Sequence, residues 1–411
     1  MPKHGFNTKA IHAGMIDFNP DSMSVPIYQS VAYPYQDAQE AAAIFRGEKP
    51  GYTYGRWDNP TVDAFERRMA ALENTDAAIA TASGMSAIFL LTHHLLNPGD
   101  EVVSSNRVYG GTFGLFDVGL KKMGTKVVWV TSPESIDAWA AAITPATKFL
   151  FVETPSNPGL FIADIPALAA LAKSKNLPLV VDNTITTPAL QQPILLGANI
   201  VVHSTTKYIC GNATSLGGII CGPKEIIDGI RLSSIRYLGP AMAPFNAWLN
   251  LNGLETLALR MERHCSNAMA LAGFLEKHPD VNFVNYPGLE SNPYHKLVES
   301  QMLGCSSLMS FELKGNYEQA TQFIDSLKII KHATHLGTCR SIVTHPASTT
   351  HSAMGETEMR KAGISPSMIR LSIGIEDISD LIADISQAFD HIDAGPGISD
   401  NFKTGNFPQA Y

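Results

Sequence analysis

The sequence has few cysteines and lacks any hydrophobic run long enough to cross a membrane. Its five cysteines are an odd number without CxxC spacing, which argues against a disulfide framework and against a zinc site. A membrane-spanning helix needs about 18–20 consecutive apolar residues, and no stretch approaches that length. The amino terminus also lacks the apolar core of a signal peptide. We therefore expect a cytoplasmic protein without membrane segments.

Positive charge is scarce as well. The chain has 30 lysines and arginines against 38 acidic residues, giving a formal net charge of −8. Such a chain is repelled by nucleic-acid phosphates and by anionic lipid headgroups. We predict that neither nucleic acid nor membrane is a partner.

Two common cofactor signatures are missing. No GxGxxG motif follows the early strands, which argues against a nucleotide-dependent dehydrogenase. Of the thirteen histidines, His345 and His351 are the strongest pair of candidate metal ligands. Their sequence surroundings resemble a loop rather than a helix, so we predict no metal site.

The length and the order of patterns predict an α/β protein with two domains. At 411 residues the chain exceeds the roughly 250–300 residues that one core supports. Prolines interrupt residues 1–60, which predicts an irregular arm that is either loose or reaches another subunit. Alternating strands and helices over 61–250 predict a mostly parallel sheet covered on both faces. Residues 251–411, which begin with a long helical region from Phe245 to about Lys277, predict a smaller α+β domain.

The most informative stretch contains one lysine at the end of a predicted strand. Two β-branched residues, Val201 and Val202, precede a run of small hydroxyl residues and then Lys207. A second apolar strand ends at Asp182. The carboxyl ends of such strands meet where α/β folds bind ligands. Pyridoxal phosphate (PLP) needs this pair, because the lysine forms a Schiff base and the carboxylate keeps the pyridine nitrogen protonated.

Other residues at strand ends fit the same cofactor. Ser83-Gly84-Met85 separates a predicted strand from a helix, where free backbone N–H groups can bind phosphate. Tyr109 follows the next strand and is either a core residue or a ring that stacks on a cofactor. Asn157 lies in a proline-bounded turn that is either structural or faces the substrate. Arg370 interrupts an apolar strand, and a buried arginine needs a carboxylate, which an amino-acid substrate would provide.

Taken in order, these motifs resemble the Cys/Met-metabolism group of fold-type I PLP enzymes over essentially the whole chain. That group includes cystathionine gamma-synthase, methionine gamma-lyase and the O-acylhomoserine sulfhydrylases. The most specific segment begins at Asp182-Asn-Thr, continues through Pro188, Pro193 and Gly197-Ala198, and ends at His203-Ser-Thr-Thr-Lys207. The alternative of a non-catalytic scaffold does not explain why three charged residues, Lys207, Asp182 and Arg370, fall in one crevice.

The resemblance implies a role for each cofactor-binding residue. Lys207 would carry PLP and then move protons on the substrate, and Asp182 would pair with the pyridinium nitrogen. Tyr109 would stack on the ring and assist the leaving group. The phosphate would be held by Ser83, Gly84, Met85, Ser204 and Thr206.

The same resemblance implies contacts to the substrate and to a second subunit. Ser156, Asn157 and Arg370 would orient the substrate carboxylate. Tyr54 and Arg56, within Tyr-Gly-Arg, would reach the phosphate of a neighbouring subunit, with Tyr54 also near the substrate. We accordingly expect a homodimer that builds a homotetramer.

Three departures bear on the reaction. Gly111 stands where methionine gamma-lyases usually carry cysteine, Arg340 stands where lyases often carry glutamate, and His335 replaces a common serine or asparagine. The insertion of the longer O-acetylhomoserine sulfhydrylases is also absent. We predict γ-replacement on an O-acylhomoserine by sulfide, giving homocysteine. Methionine gamma-lyase and cystathionine gamma-synthase are the alternatives.

Overall fold

The computed structural model describes residues 4–15, 22–349 and 364–392. His351, one of the two histidines considered above as metal ligands, lies outside these ranges. Within them no helix is long and apolar enough to span a membrane. The predicted domain limits at residues 60, 250 and 411 stay predictions, although two separate sheets are present.

The prediction that the first sixty residues lack regular structure is wrong in part. Two short helices form, α1 (Phe6–His12) and α2 (Ala38–Phe45). Prolines preclude a long helix here, but the stretches between them have room for helices of seven and eight residues. Helix α1 packs against α3 (Pro60–Glu73), which begins with Pro60 after its N-cap Asn59.

The first sheet has seven strands and is mostly parallel, as predicted. Its order is β1-β7-β6-β5-β4-β2-β3, and β7 alone runs antiparallel to its neighbours. The strands are β1 (Ala77–Thr81), β2 (Glu101–Ser105), β3 (Lys126–Val130), β4 (Thr147–Glu153), β5 (Leu179–Asp182), β6 (Ile200–Ser204) and β7 (Gly218–Gly222).

Helices cover both faces of this sheet. Val180 and Val202 point into one apolar core, whereas Val181 and Val201 point to the opposite face. This alternation explains why the strands read as continuous apolar runs. The helices are α4 (Gly84–Leu95), α5 (Gly110–Gly114), α6 (Ile136–Ala142), α7 (Ile165–Ser174), α8 (Thr187–Leu190), α9 (Lys224–Ile230) and α10 (Arg236–Leu238).

The predicted long helical region from Phe245 to about Lys277 consists of two helices, α11 (Pro244–Glu255) and α12 (Leu257–Glu276). Thr256 leaves helical geometry between them, with φ −110° and ψ 8°. Arg260 compensates the break, because its guanidinium donates to the Gly253 carbonyl at 2.6 Å and to the Thr256 hydroxyl at 3.2 Å. The Gly253 carbonyl near the break therefore accepts a hydrogen bond from a side chain that lies one turn after Thr256.

The second sheet has five strands in the order β10-β11-β12-β9-β8, with only β10 and β11 parallel. Together with its helices it forms the predicted α+β region. The remaining elements are β8 (Val281–Asn285), α13 (His295–Gln301), β9 (Leu308–Leu313), α14 (Tyr317–Ser326), β10 (Lys331–His332), β11 (Ile342–Thr344), β12 (Met368–Ser372) and α15 (Ile378–Phe389).

Candidate active site

Three neighbouring parallel strands end at polar residues along one edge of the large sheet. Glu153 at the end of β4 is in register with Asp182 at the end of β5, and Asp182 is in register with Val202 of β6. Ser204 ends β6, and Lys207 follows within the next turn. The predicted convergence of Asp182 and Lys207 therefore arises from strand registry.

The Asp182 carboxyl is buried and is held from one side only. Its Oδ1 accepts hydrogen bonds from the Thr184 backbone N–H at 3.0 Å and from the Thr184 hydroxyl at 2.6 Å. Burial raises the pKa of Asp182, and the two Thr184 bonds oppose that rise. Within the described chain Oδ2 has no hydrogen-bond partner, so one oxygen remains for a protonated ring nitrogen.

Glu153 is a buried carboxyl at the site that the sequence analysis missed. Its two oxygens accept backbone N–H bonds from Tyr109 at 2.6 Å and from Asn157 at 2.9 Å. Burial and the neighbouring Asp182 charge raise the pKa of Glu153 well above its ordinary value. The two backbone N–H bonds oppose that rise, and the charge state of this buried acid depends on that of Asp182.

A second buried acid, Glu73, contacts residues at the ends of β5 and β6. The Glu73 carboxyl lies 2.6 Å from the His203 imidazole and accepts a hydrogen bond from the Asn183 amide at 3.2 Å. Asn183 directly follows β5, and His203 belongs to β6. This contact fixes the two strand ends that carry Asp182 and Ser204, and it too was absent from the sequence analysis.

The predicted phosphate-binding residues surround the first turn of α4. Ser83 caps this helix by accepting from the Ser86 N–H at 3.1 Å, while Gly84 and Met85 provide the first two helical N–H groups. A Cβ added at Gly84 would lie 2.7 Å from the Ser204 Cβ, so only glycine lets the helix approach β6 so closely. Among described residues the Ser204 hydroxyl has no hydrogen-bond partner.

Thr206, predicted to join them, sits at the same turn. Its hydroxyl accepts from the Gly217 N–H at 3.0 Å. It also lies 3.3 Å from the Gly217 carbonyl, to which it can donate. The preceding residue, Thr205, has a buried hydroxyl without a partner within the described chain.

The Lys207 amine is largely buried and lies close to cationic rather than anionic groups. Burial, and then the charge of Arg370, lower its pKa. Its Nζ lies 3.4 Å from Nδ1 of His335. A lysine whose neutral form is favoured in this way is suited to nucleophilic attack on a carbonyl.

Arg370 is buried, as predicted, and no acidic side chain pairs with it in the described ranges. Its guanidinium donates to the Asn157 side-chain oxygen at 3.0 Å, to the Thr344 hydroxyl at 3.1 Å and to the His335 carbonyl at 3.2 Å. Its Nε is buried without a partner. A substrate carboxylate could supply the missing anion.

The three residues predicted to orient that carboxylate are not placed alike. Asn157 contacts Arg370 directly. Ser156 is 1% exposed, and its hydroxyl accepts from the Phe161 N–H at 3.0 Å. Ser156 therefore shapes the turn that presents Asn157.

Tyr109 is the N-cap residue of α5, and its side chain is half-exposed at 50%. It is thus not a core residue, which was one of the two options left open by the sequence. Gly111 lies directly against its ring. A Cβ at Gly111 would come 2.5 Å from the Tyr109 Cε1 and 3.2 Å from the Met85 Sδ.

Tyr54 and Arg56 stand apart from this cluster within one chain. Both side chains are exposed, and the Arg56 guanidinium lies 5.1 Å from the Tyr54 ring centroid. In the described residues neither is hydrogen-bonded to Lys207, Asp182 or Ser204. They border a cavity with Gln29, Gly239 and Pro244.

The residues of this site fit PLP in three respects. Gly84 and Ser204 form a cradle that a Cβ would fill. Asp182 keeps one oxygen free for a ring nitrogen, and Lys207 presents an amine whose neutral form is favoured. By contrast, the described residues contain no group of three potential metal-ligating side chains.

Comparison with known proteins places this site in context. The sequence model of the Cys/Met metabolism PLP-dependent enzymes matches residues 7–390. An O-succinylhomoserine sulfhydrylase of Pseudomonas aeruginosa is 43% identical over 93% of this chain and 94% of its own length. An L-methionine gamma-lyase of Pseudomonas putida is 41% identical over 93% of this chain and 97% of its own.

A solved structure gives the same indication. A Campylobacter jejuni protein that carries N′-pyridoxyl-lysine-5′-monophosphate superposes with a TM-score of 0.90 at 38% identity. The match covers 94% of this chain and 100% of the other.

Proposed function

Because the chain belongs to the Cys/Met metabolism PLP-dependent enzymes, we propose that it catalyses γ-replacement on an O-acylhomoserine with sulfide, giving homocysteine. Family membership confirms the predicted fold-type I architecture, the PLP cofactor and an enzyme of sulfur amino-acid metabolism. The acyl ester, the sulfide and the balance between replacement and elimination are the proposed part.

The observation that carries the choice of reaction is the contact between Gly111 and Tyr109. Methionine gamma-lyases usually have cysteine at this position. Here even a Cβ would come 2.5 Å from the Tyr109 ring. A cysteine at this position would therefore require the Tyr109 ring to move, so the ring position in this chain is one that glycine allows and cysteine does not.

The proposed substrate contacts use the unpaired side of Arg370. Its buried Nε has no partner in the described chain, and Asn157 and Thr344 hold the rest of the guanidinium in place. A planar guanidinium fixed in this way binds a carboxylate through two hydrogen bonds. The amino acid would then lie with its α-carbon between Arg370 and Lys207.

The cofactor-binding residues act together. Bound PLP supplies the electron sink that stabilises a carbanion at the substrate Cα. Asp182 would keep the ring nitrogen protonated, and Glu153 holds the backbone N–H groups of Tyr109 and Asn157 beside it. Gly84, Met85 and the hydroxyls that end or follow β6 would hold the phosphate, and Ser83 caps the helix that presents the two N–H groups.

Lys207 carries the protons. Once released as a free amine, it would remove the Cα proton and then a Cβ proton, so that the ester leaves from Cγ as a carboxylate. After sulfide has bonded to Cγ, the lysine would return protons to Cβ and Cα. Burial lowers the pKa of this amine, which favours the neutral form that accepts a proton. Tyr109, whose backbone N–H donates to Glu153, would stack on the ring and assist the departing ester.

We further propose that the active protein is a homodimer that assembles into a homotetramer. Tyr54 and Arg56 are exposed and make no contact with the Lys207 cluster of their own chain, within the parts described. A guanidinium of this kind suits a phosphate held by a second subunit.

The odd set of five cysteines without paired spacing supports a reducing location, the cytoplasm.

A substrate panel tests the proposed reaction. O-succinylhomoserine, O-acetylhomoserine, cystathionine and methionine are each incubated with and without sulfide, and homocysteine and 2-oxobutanoate are quantified. We expect homocysteine from an ester plus sulfide as the fastest reaction. If methionine alone yields 2-oxobutanoate faster than any ester yields homocysteine, the enzyme is a lyase. Cystathionine formation from an ester plus cysteine would instead identify a cystathionine gamma-synthase.

A further inference from the structure

His335 lies within hydrogen-bond reach of the reactive amine, and the reaction proposed above gives it no role. The residue sits between β10 and β11, and its Nδ1 is 3.4 Å from the Lys207 Nζ. Its backbone carbonyl accepts from Arg370 at 3.2 Å, which fixes the residue in place. Its other ring nitrogen, Nε2, is buried and has no partner among the described residues.

The charges around this imidazole favour its neutral form. Lys207 and Arg370 are the charged groups that face it, and no acidic side chain pairs with either in the described ranges. Burial, then the charges of Lys207 and Arg370, lower the pKa of His335 to about 4. At neutral pH the ring is therefore a neutral acceptor at one nitrogen and a donor at the other.

A neutral imidazole next to an amine can hold it in a defined direction. When Lys207 is protonated, its ammonium group can donate hydrogen bonds but cannot accept them. The His335 Nδ1, 3.4 Å away, can accept one of these bonds. The imidazole proton then resides on Nε2. Because the hydrogen bond involves a charged donor, it is stronger than one between neutral groups.

We propose that His335 is a positioning residue for Lys207: it accepts a hydrogen bond from the ε-ammonium group and so orients the amine that shuttles protons on the substrate. This inference rests on the proposed function, since it concerns Lys207 after its release as a free amine. No proton is transferred to His335. The proton taken from the substrate Cα stays on Nζ, and the electron pair stays with the substrate and cofactor.

The test compares two replacements with a matched control. His335→Asn keeps an acceptor oxygen near the position of Nδ1 but cannot titrate, and His335→Leu removes the acceptor. His332→Leu, at an exposed histidine on the edge strand β10, controls for the loss of a nearby imidazole. Each full-length protein is freed of PLP, and the rate at which cyanate modifies Lys207 is followed against pH by peptide mass spectrometry.

We expect His335→Leu to move the midpoint of that curve to lower pH, because the ammonium form loses its acceptor. The Asn variant and the His332→Leu control should keep the wild-type midpoint. In the PLP-loaded enzymes, His335→Leu should lower kcat by about tenfold or more, with KM nearly unchanged, as expected for the loss of one charge-assisted hydrogen bond. His335→Asn should recover most of that loss.

Superimposable modification curves for wild type and His335→Leu would overturn the proposal, as would a kcat loss that His335→Asn fails to recover. The experiment distinguishes failure of the His335 proposal from failure of the proposed reaction. If the midpoint shifts as expected but no ester yields homocysteine, the contact stands and the proposed function fails. If homocysteine forms at the wild-type rate in His335→Leu, the function stands and His335 has no positioning role.

Discussion

Replacing Gly84 by alanine should separate PLP binding from folding. The added Cβ would lie 2.7 Å from the Ser204 Cβ and 2.9 Å from its Cα. The second of these atoms is backbone, so the clash cannot be relieved by rotating a side chain. The first turn of α4 must instead move away from β6, which draws the Gly84 and Met85 N–H groups apart from the Ser204 hydroxyl.

The magnitude follows from the size of the clash. Overpacking by one methyl group typically costs about 1–3 kcal/mol. If that strain falls on the phosphate cradle, the Kd for PLP should rise by roughly fivefold to 150-fold. Equilibrium dialysis of PLP against the variant, followed by absorbance, measures this directly.

Gly273→Ala is the matched control. Gly273 lies inside α12, where an added Cβ meets nothing within 4 Å. Alanine should stabilise this helix slightly and leave PLP affinity unchanged. If Gly84→Ala binds PLP as tightly as Gly273→Ala, the cradle is not where the phosphate binds.

Three further predictions address the subunit boundary, the substrate and pH. Arg56→Ala should weaken PLP retention, and mixing it with Lys207→Ala should restore some activity through hybrid dimers; no recovery after verified subunit exchange would mean that each site comes from one chain. Arg370→Lys should raise KM for the ester by about tenfold to a hundredfold by losing the bidentate pair, whereas an unchanged KM would remove Arg370 from the substrate contacts. Burial lowers the pKa of His264 to about 4, so the folded chain binds fewer protons there than the unfolded chain, and stability is lost as pH falls from about 6.5 toward 4. Urea unfolding should show that wild type loses about 2 kcal/mol between pH 7 and pH 5 through this residue. His264→Gln should lack that component while His332→Leu retains it.

The residues that sequence reasoning found share a local signature. Lys207 and Asp182 each follow an apolar strand directly, and Arg370 is a charge within an apolar strand. Such patterns are visible within a few residues. The parallel sheet then brings the strand ends together, which the order of strands and helices predicts.

The residues that were missed depend on contacts far apart along the chain. Glu153 precedes the turn with Asn157, yet its second oxygen holds Tyr109, 44 residues away. His335 reaches Lys207 across 128 residues. Neither of these contacts has a repeat or a spacing that marks it.

The central claim is that Lys207 is the residue on which this enzyme's chemistry depends. Borohydride reduction of the purified, PLP-loaded protein, followed by proteolysis and peptide mass mapping, tests it directly. We expect the pyridoxyl group on the peptide containing Lys207, and we expect Lys207→Ala protein to show neither label nor turnover while keeping its fold. A pyridoxyl group on any other lysine would contradict it.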